Sequence, residues 1–193
     1  AHSVRPAVVS RVPLHVTLRI ARGVPNLRAG VPMRAIRRAL VEGKERVGLR
    51  VVHYAVQPDH VHLIVEAEDT RALSRGVAGL SVRFARGLNR ALGRRGRVMG
   101  DRYHARSLSS PREVRRAIAY VLLQARRHAA KRRVGLTTTL DPCSSAPCFD
   151  GWTRGKPREG PWTGTVVEPR TWLLAIGWRR HGIIDPAEIP GAG

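Results

Sequence analysis

The stretch LRVVHYAVQPDHVHLIVE, Leu49 to Glu66, decides how this chain folds. Leu49 to Val56 is rich in β-branched and aromatic residues and reads as a strand. Gln57-Pro58-Asp59 is a turn signal, because proline presets one backbone angle and aspartate bonds its own backbone. His60 to Glu66 reads as the next strand, so the two form a hairpin. Strand side chains alternate in direction, so His60 and His62 share one face and Val61, Leu63 and Val65 the other. Two imidazoles at adjacent same-face positions can hold a divalent metal. Two exposed or hydrogen-bonded histidines would give the same pattern.

Upstream, Leu14, Val16, Leu18 and Ile20 alternate with His15, Thr17 and Arg19, the mark of a half-buried strand. Pro25 and Gly30 punctuate a loop, and Met33, Ile36 and Leu40 then recur at helical spacing behind Pro32. Downstream, Asp69 or Thr70 caps a helix whose apolar stripe is Leu73, Val77, Leu80, Phe84 and Leu88. Arg75, Arg83, Arg86 and Arg90 lie largely off that stripe. A basic loop over 93–97 leads to a short fourth strand within Tyr103 to Leu108. Ser110-Pro111-Arg112-Glu113 then opens a helix, with Ser as cap, Pro at the first position and Glu completing a capping box. This helix is expected to run to about Ala130. The order is strand, helix, strand, strand, helix, strand, helix. It implies an α+β fold with a ferredoxin-like split βαββαβ core and an antiparallel sheet. Helices are expected on one face. The other face is left for a site lined by the polar positions of the first three strands.

The 193 residues fit one domain, or one domain with an appendage. No apolar run approaches the ~18–20 residues of a membrane span, so no membrane partner is expected. No secretory leader opens the sequence, and Cys143 and Cys148 make no disulfide framework, so a reducing, cytoplasmic setting is expected. Lys and Arg number 35 against 14 Asp and Glu, a net charge of +21. The excess is concentrated: residues 71–133 hold 18 basic and 2 acidic side chains. All but three of the basic residues are Arg, whose planar fork grips phosphate through two hydrogen bonds. Such a field points to nucleic acid. From about residue 134 Pro, Gly and Ser rise and all four Trp appear (Trp152, Trp162, Trp172 and Trp178). That stretch reads as an irregular extension packing through its Trp residues, with a short helix near 170–180.

On the last helix, Val114, Ile118, Val121, Leu122 and Ala125 form the apolar face. Tyr120 lies about 140° from its centre at roughly 100° per residue. Gln124 follows one turn later on the same side, and Arg116 and Arg127 share that side. Tyr120 is therefore not placed as a core aromatic, although an interface or half-buried tyrosine would sit the same way.

Taken together, Tyr54 to Glu66 around His60-Val61-His62 resembles the HUH motif of single-tyrosine transposases, both the insertion-sequence type and the REP-associated tyrosine transposases. The resemblance continues through Leu73-Ser74-Arg75-Gly76, Asn89-Arg90, the Gly96–Arg106 segment with Asp101-Arg102-Tyr103-His104, and Tyr120-Val121-Leu122-Leu123-Gln124. It covers roughly residues 14–130. It implies that His60 and His62 bind a metal, Mg²⁺ or Mn²⁺, that Tyr120 is the nucleophile, and that Gln124 is a further metal ligand. It implies a transposase that nicks and rejoins single-stranded DNA at hairpin-flanked sites through a 5′-phosphotyrosine, acting as monomer or homodimer in the cytoplasm and on the nucleoid.

The resulting domain plan is an N-terminal arm over 1–13, a transposase domain over 14–133 and the Trp-containing extension over 134–193. Arg75, Arg83, Arg86, Arg90, Arg102, Arg116 and Arg127 are the candidate DNA contacts. The sequence departs from the family at Asp59, where Asn is usual, and at Ala125, where REP-associated members often have Pro. Three other readings compete. One is a domesticated DNA or RNA hairpin-binding protein without cleavage. Another is a rolling-circle initiator or relaxase, against which the missing phosphate-binding loop weighs. The third is a zinc site using His60 and His62 with His104 or His53. Tyr103 is the second candidate nucleophile, and His15 and His53 are candidate neighbours of the metal face.

Overall fold

A computed structural model describes residues 8–131, 139–154 and 159–190. Residues 1–7 of the expected arm and the expected boundary at 133/134 lie outside them. Strand β1 (Leu14–Arg19) leads to helix α1 (Gly30–Gly43), and β2 (Glu45–Arg46) and β3 (Leu49–Val56) precede β4 (His60–Ala67). Helix α2 (Thr70–Ala91), β5 (His104–Ser107), α3 (Pro111–Leu122) and α4 (Gln124–Lys131) follow, and α5 (Trp172–Ala175) lies near the C-terminus. The sheet order is β2-β3-β4-β1-β5, with each pairing antiparallel. Without the two-residue β2, this is the split βαββαβ arrangement that the order of elements implies. β2 itself has no counterpart in that expected order. It folds back on β3 through Val47 and Gly48, both at positive φ (48° and 78°), as a two-residue hairpin turn requires.

One face of the sheet packs on α1 and α2. Leu14, Val16 and Leu18 of β1 and Val61, Leu63 and Val65 of β4 meet the α2 stripe of Leu73, Val77, Leu80, Phe84 and Leu88. The whole stripe is buried, as its spacing predicts. Gly76 lets α2 approach β3: a Cβ there would stand 2.3 Å from the Leu49 Cβ. Asp69 caps α2 by accepting from the Ala72 amide at 2.6 Å.

The opposite face is not left free. Val114, Ile118, Val121 and Leu122 of α3 cover Val52, Ala55 and Ile64, and Phe149, Trp152, Leu174, Trp178 and Ile184 complete this second core. The alternation of β3 slips one residue at a bulge between Val51 and His53, which puts Val52 and His53 on the same side. Only the β1–β4 end of this face remains for a site. Of the four tryptophans, Trp152 and Trp178 enter the core, while Trp172 is 46 % exposed.

C-terminal residues also close the edge of β3. The Val56 amide donates to Cys143 O, and the Ser145 amide donates to Tyr54 O. Such closure protects an edge that would otherwise template pairing with another chain. Buried Glu66 accepts from the Arg170 and Thr171 amides at 2.9 and 2.7 Å, which ties α5 to β4.

The capping box forms as expected: Ser110 Oγ accepts from the Glu113 amide and Glu113 Oε2 accepts from the Ser110 amide. The single helix expected from there to Ala130 is instead two, broken at Leu123 (φ −105°, ψ 18°). Neither Gly nor Pro stands there. Val121, Leu122, Leu123 and Gln124 are all buried. Four consecutive residues on a straight helix fan over about 300°, so one helix face could not bury them all. Gln124 opens the second helix.

Candidate active site

β4 carries the first two groups. His60 and His62 project from the α3 side, as alternation from Val61, Leu63 and Val65 demands. Their Nε2 atoms converge to 3.1 Å. β1 runs alongside, with Thr17 opposite His62 and Arg19 opposite His60. From β1, His15 Nε2 lies 3.0 Å and Thr17 Oγ1 3.2 Å from His62 Nδ1. Asp59, in the turn, places Oδ1 2.7 Å from His60 Nδ1.

The broken helix supplies the rest. The Tyr120 ring stands edge-on to His62 at 5.4 Å and to His15 at 5.9 Å between centroids. Gln124 donates from Nε2 to Tyr120 Oη at 3.4 Å, and the same amide nitrogen lies 3.3 Å from His128 Nε2. The Arg127 guanidinium sits over the Tyr120 ring, 5.0 Å from its centroid, within reach of a cation–π attraction. His62 and Gln124 are buried, while His60 and Tyr120 are partly open. The site is thus approached over His60 and Tyr120.

Electrostatics keep the inner imidazoles neutral. Burial pushes His62 down to about 3, helped by His15, His60 and His128. Burial also pushes His15 down to about 4, helped by the charges of Arg106 and His104. Asp59 is held below the usual carboxylate range, first by its hydrogen bond to His60. A neutral imidazole keeps one lone pair for a ligand.

The donor set fits a divalent metal. Two donors about 2.1 Å from one ion at right angles lie about 3 Å apart, close to the His60–His62 separation. The oxygen Gln124 Oε1 is buried without a hydrogen-bond partner among the described residues, an expensive arrangement for a polar atom that meets nothing. No cluster of three His, Cys, Asp or Glu side chains suited to a metal occurs among the described residues, and Gln124 Oε1 is the candidate third donor. The zinc alternative loses His53, which packs against Phe149 at 5.2 Å. His104 is exposed on β5, opposite Thr17.

Other candidates fall elsewhere. Tyr103 Oη lies 3.3 Å from Ser74 Oγ of α2, which ties that residue to the helix on the other side of the sheet. Tyr54 is fully buried, and burial pushes its phenol up to about 12. The seven candidate arginines divide between two faces. Arg83, Arg86 and Arg90 line a groove of about 750 Å³ between α1 and α2, where Arg34 and Arg38 join them. That groove lies beyond the helices, on the face opposite His60, His62 and Tyr120. Arg75 is on α2 but not in the groove. Arg116 and Arg127 share the helical segment with Tyr120, and Arg102 is exposed in the loop before β5. His128 is missing from the candidates read in the sequence, though its place four residues after Gln124 puts it on the same helix side.

Comparison with known proteins identifies the family and the fold. Residues 9–124 match the family model described as "Transposase IS200 like", an interval that ends on Gln124. A REP-associated tyrosine transposase solved bound to a REP hairpin superposes with a TM-score of 0.56 at 16 % identity, over 75 % of this chain and 82 % of that one. A candidate transposase from Deinococcus radiodurans R1 gives a TM-score of 0.44 at 18 % identity, over 70 % of this chain and 98 % of that one. No curated protein matches the chain in sequence.

Proposed function

The chain belongs to the IS200-like transposase family, and on that premise we propose that it cuts and rejoins single-stranded DNA through a covalent bond to Tyr120. The observation that carries this reading is the convergence of His60 Nε2 and His62 Nε2 at 3.1 Å beside the Tyr120 ring and the Gln124 amide. His60, His62 and Gln124 Oε1 would hold Mg²⁺ or Mn²⁺. Such an ion, when bound, polarises the scissile phosphate and stabilises its developing charge.

The chain's own groups then do the following. Tyr120 Oη, its proton passed to solvent, attacks phosphorus. The bond from phosphorus to the 3′ oxygen breaks, and that oxygen leaves as a 3′-hydroxyl after taking up a proton. A 5′-phosphotyrosine remains, and attack by another 3′-hydroxyl reverses the step and seals the strand. Covalent catalysis retains the phosphodiester's energy for rejoining. Gln124 orients the phenol by its hydrogen bond to Oη, and Arg127 over the ring supplies positive charge beside the phosphate.

The same reading makes a hairpin the landmark. The solved relative in the comparison holds a REP hairpin, and the arginine groove between α1 and α2 offers a phosphate-binding surface on the opposite face. No helix of the structure is long and apolar enough to cross a membrane among the described residues. The inferred place of action is the cytoplasm, on the nucleoid. Arg116 and Arg102 are the remaining proposed DNA contacts, with Arg75 at the margin.

The test is covalent capture. Purified protein is incubated with labelled single-stranded hairpin DNA in Mn²⁺, in Mg²⁺ or with chelator, then run on a denaturing gel. A metal-dependent protein–DNA adduct, absent with duplex, is expected. Tight hairpin binding with no adduct under any metal would favour the binding-only alternative.

A further inference from the structure

Each of the three donor side chains has a second polar atom that must be prevented from taking the donor's place. An imidazole carries one proton on either of two nitrogens, and an amide can turn its nitrogen where its oxygen should be. In each case a group from another position meets that second atom. Asp59 Oδ1 faces His60 Nδ1 at 2.7 Å. His15 Nε2 and Thr17 Oγ1 face His62 Nδ1 at 3.0 and 3.2 Å. His128 Nε2 faces Gln124 Nε2 at 3.3 Å.

We propose that Asp59, His15 with Thr17, and His128 are positioning residues that fix the lone pairs His60, His62 and Gln124 present to a divalent cation. The inference rests on the reading of those three as metal donors. A carboxylate only accepts, so His60 must carry its proton on Nδ1 to bond Asp59, and its Nε2 lone pair is freed. His62 donates from Nδ1 to His15 Nε2, with the Thr17 hydroxyl sharing that proton, and its Nε2 lone pair is freed likewise. Both Nε2 atoms face the 3.1 Å gap between the two rings, where a cation, or in its absence one shared proton, lies between their lone pairs. On the helix, His128 and Tyr120 Oη both accept from the Gln124 nitrogen, which turns Oε1 the other way. Oε1 is the buried atom with no hydrogen-bond partner.

The four groups come from the turn before β4, from β1 and from α4, so the arrangement depends on the fold. Outer partners of this kind commonly change metal affinity by about 10–100-fold when removed. Asp59 faces His60 with a charged acceptor. Its acceptor oxygen would survive in Asn, but its charge would not.

Two measurements decide the matter without relying on cleavage. Nitrogen-15 NMR of the metal-free chain reads the tautomer of each ring. His60 and His62 are expected to be protonated on Nδ1, and Asp59→Ala is expected to release His60 to the other tautomer. An Nδ1 that carries no proton on either ring in the unaltered chain would overturn the inference. Manganese titration followed by electron paramagnetic resonance gives the second readout. Asp59→Ala and His128→Ala are expected to weaken Mn²⁺ binding about 10–100-fold, with hairpin affinity and thermal midpoint as checks on folding. Asp59→Asn and His128→Gln keep an acceptor and are expected to restore most of the loss. Mn²⁺ binding that persists in the His60→Ala, His62→Ala double variant would refute the underlying metal reading. Loss there with unchanged binding in Asp59→Ala and His128→Ala would refute only the positioning role.

Discussion

The Gln124 side-chain nitrogen reaches Tyr120 Oη at 3.4 Å across a helix that is broken at Leu123 between them. The pair is one turn apart in sequence, the spacing at which helical side chains meet. Gln124 opens α4 and is buried while Tyr120, near the end of α3, stays partly open. In the proposed function this one side chain serves two tasks, holding the phenol through its nitrogen and offering its oxygen to a cation.

Gln124→Ala is expected to reduce adduct formation by about 10–100-fold, the range typical when a group that supports a metal site is removed. The loss is expected to shrink at high Mn²⁺, because a weakened site is filled by mass action. Adduct yield against metal concentration checks this. A defect that is independent of metal would show that Gln124 acts on Tyr120 alone.

Replacing Arg83, Arg86 and Arg90 with Gln is expected to weaken hairpin binding and flatten its salt dependence. Every phosphate of a duplex stem that the protein no longer neutralises changes the slope of log K against log salt by roughly 0.9. Fluorescence anisotropy over a salt series measures it. An unchanged slope would place the stem elsewhere on the molecule.

His53 gives a prediction for stability against pH. Burial pushes it down to about 4, from an ordinary value of 6.5, and Asp150 opposes this only weakly. Below about pH 6.5 the unfolded chain takes up a proton that the folded chain refuses. Folded stability is therefore full above that pH and falls as pH drops towards 4, by up to about 3 kcal/mol for this residue. His53→Leu removes this contribution, so its denaturation midpoint is expected to depend less steeply on pH between 6.5 and 4. Parallel pH profiles for the two proteins would contradict the assignment.

Glu66 is expected to latch the C-terminal segment. It is 4 % exposed and accepts from the Arg170 and Thr171 amides and from Arg50. Glu66→Gln turns a donor towards amides that need an acceptor, at a cost of about 1–3 kcal/mol. Hydrogen exchange at Arg170 and Thr171 is expected to accelerate. Exchange unchanged from wild type would mean that α5 is held by apolar packing alone.

Much of the frame was legible in the sequence because it rests on local rules. The alternation at Leu14–Ile20, the apolar stripe from Leu73 to Leu88 and the Ser110–Glu113 box each point to one element, and each forms. The spacing of His60 and His62 put two imidazoles on one face, and the phase of Tyr120 took it off the core. What was not legible depends on tertiary contact. The bulge at Val52, the break at Leu123 and the covering of the second sheet face by Trp152 and Trp178 leave no periodic mark. His15 could be placed near the site only once β1 was known to lie beside β4 in a given register. His128 stands four residues after Gln124 on the same helix, but nothing in the sequence marks it as a partner of that amide. The arginines looked like one field by charge count, but α2 and the Tyr120 segment pack on opposite faces of the sheet, which splits them into two surfaces.

The most direct test of the central claim is to locate the covalent bond. Protein captured on single-stranded hairpin DNA in Mn²⁺ is digested with nuclease and trypsin, and the nucleotide-bearing peptide is sequenced by mass spectrometry. A 5′-linked nucleotide is expected on Tyr120, in the peptide Ala117–Arg126, and none in Tyr120→Phe. A nucleotide on the Tyr103 peptide, or an adduct that survives Tyr120→Phe, would contradict it.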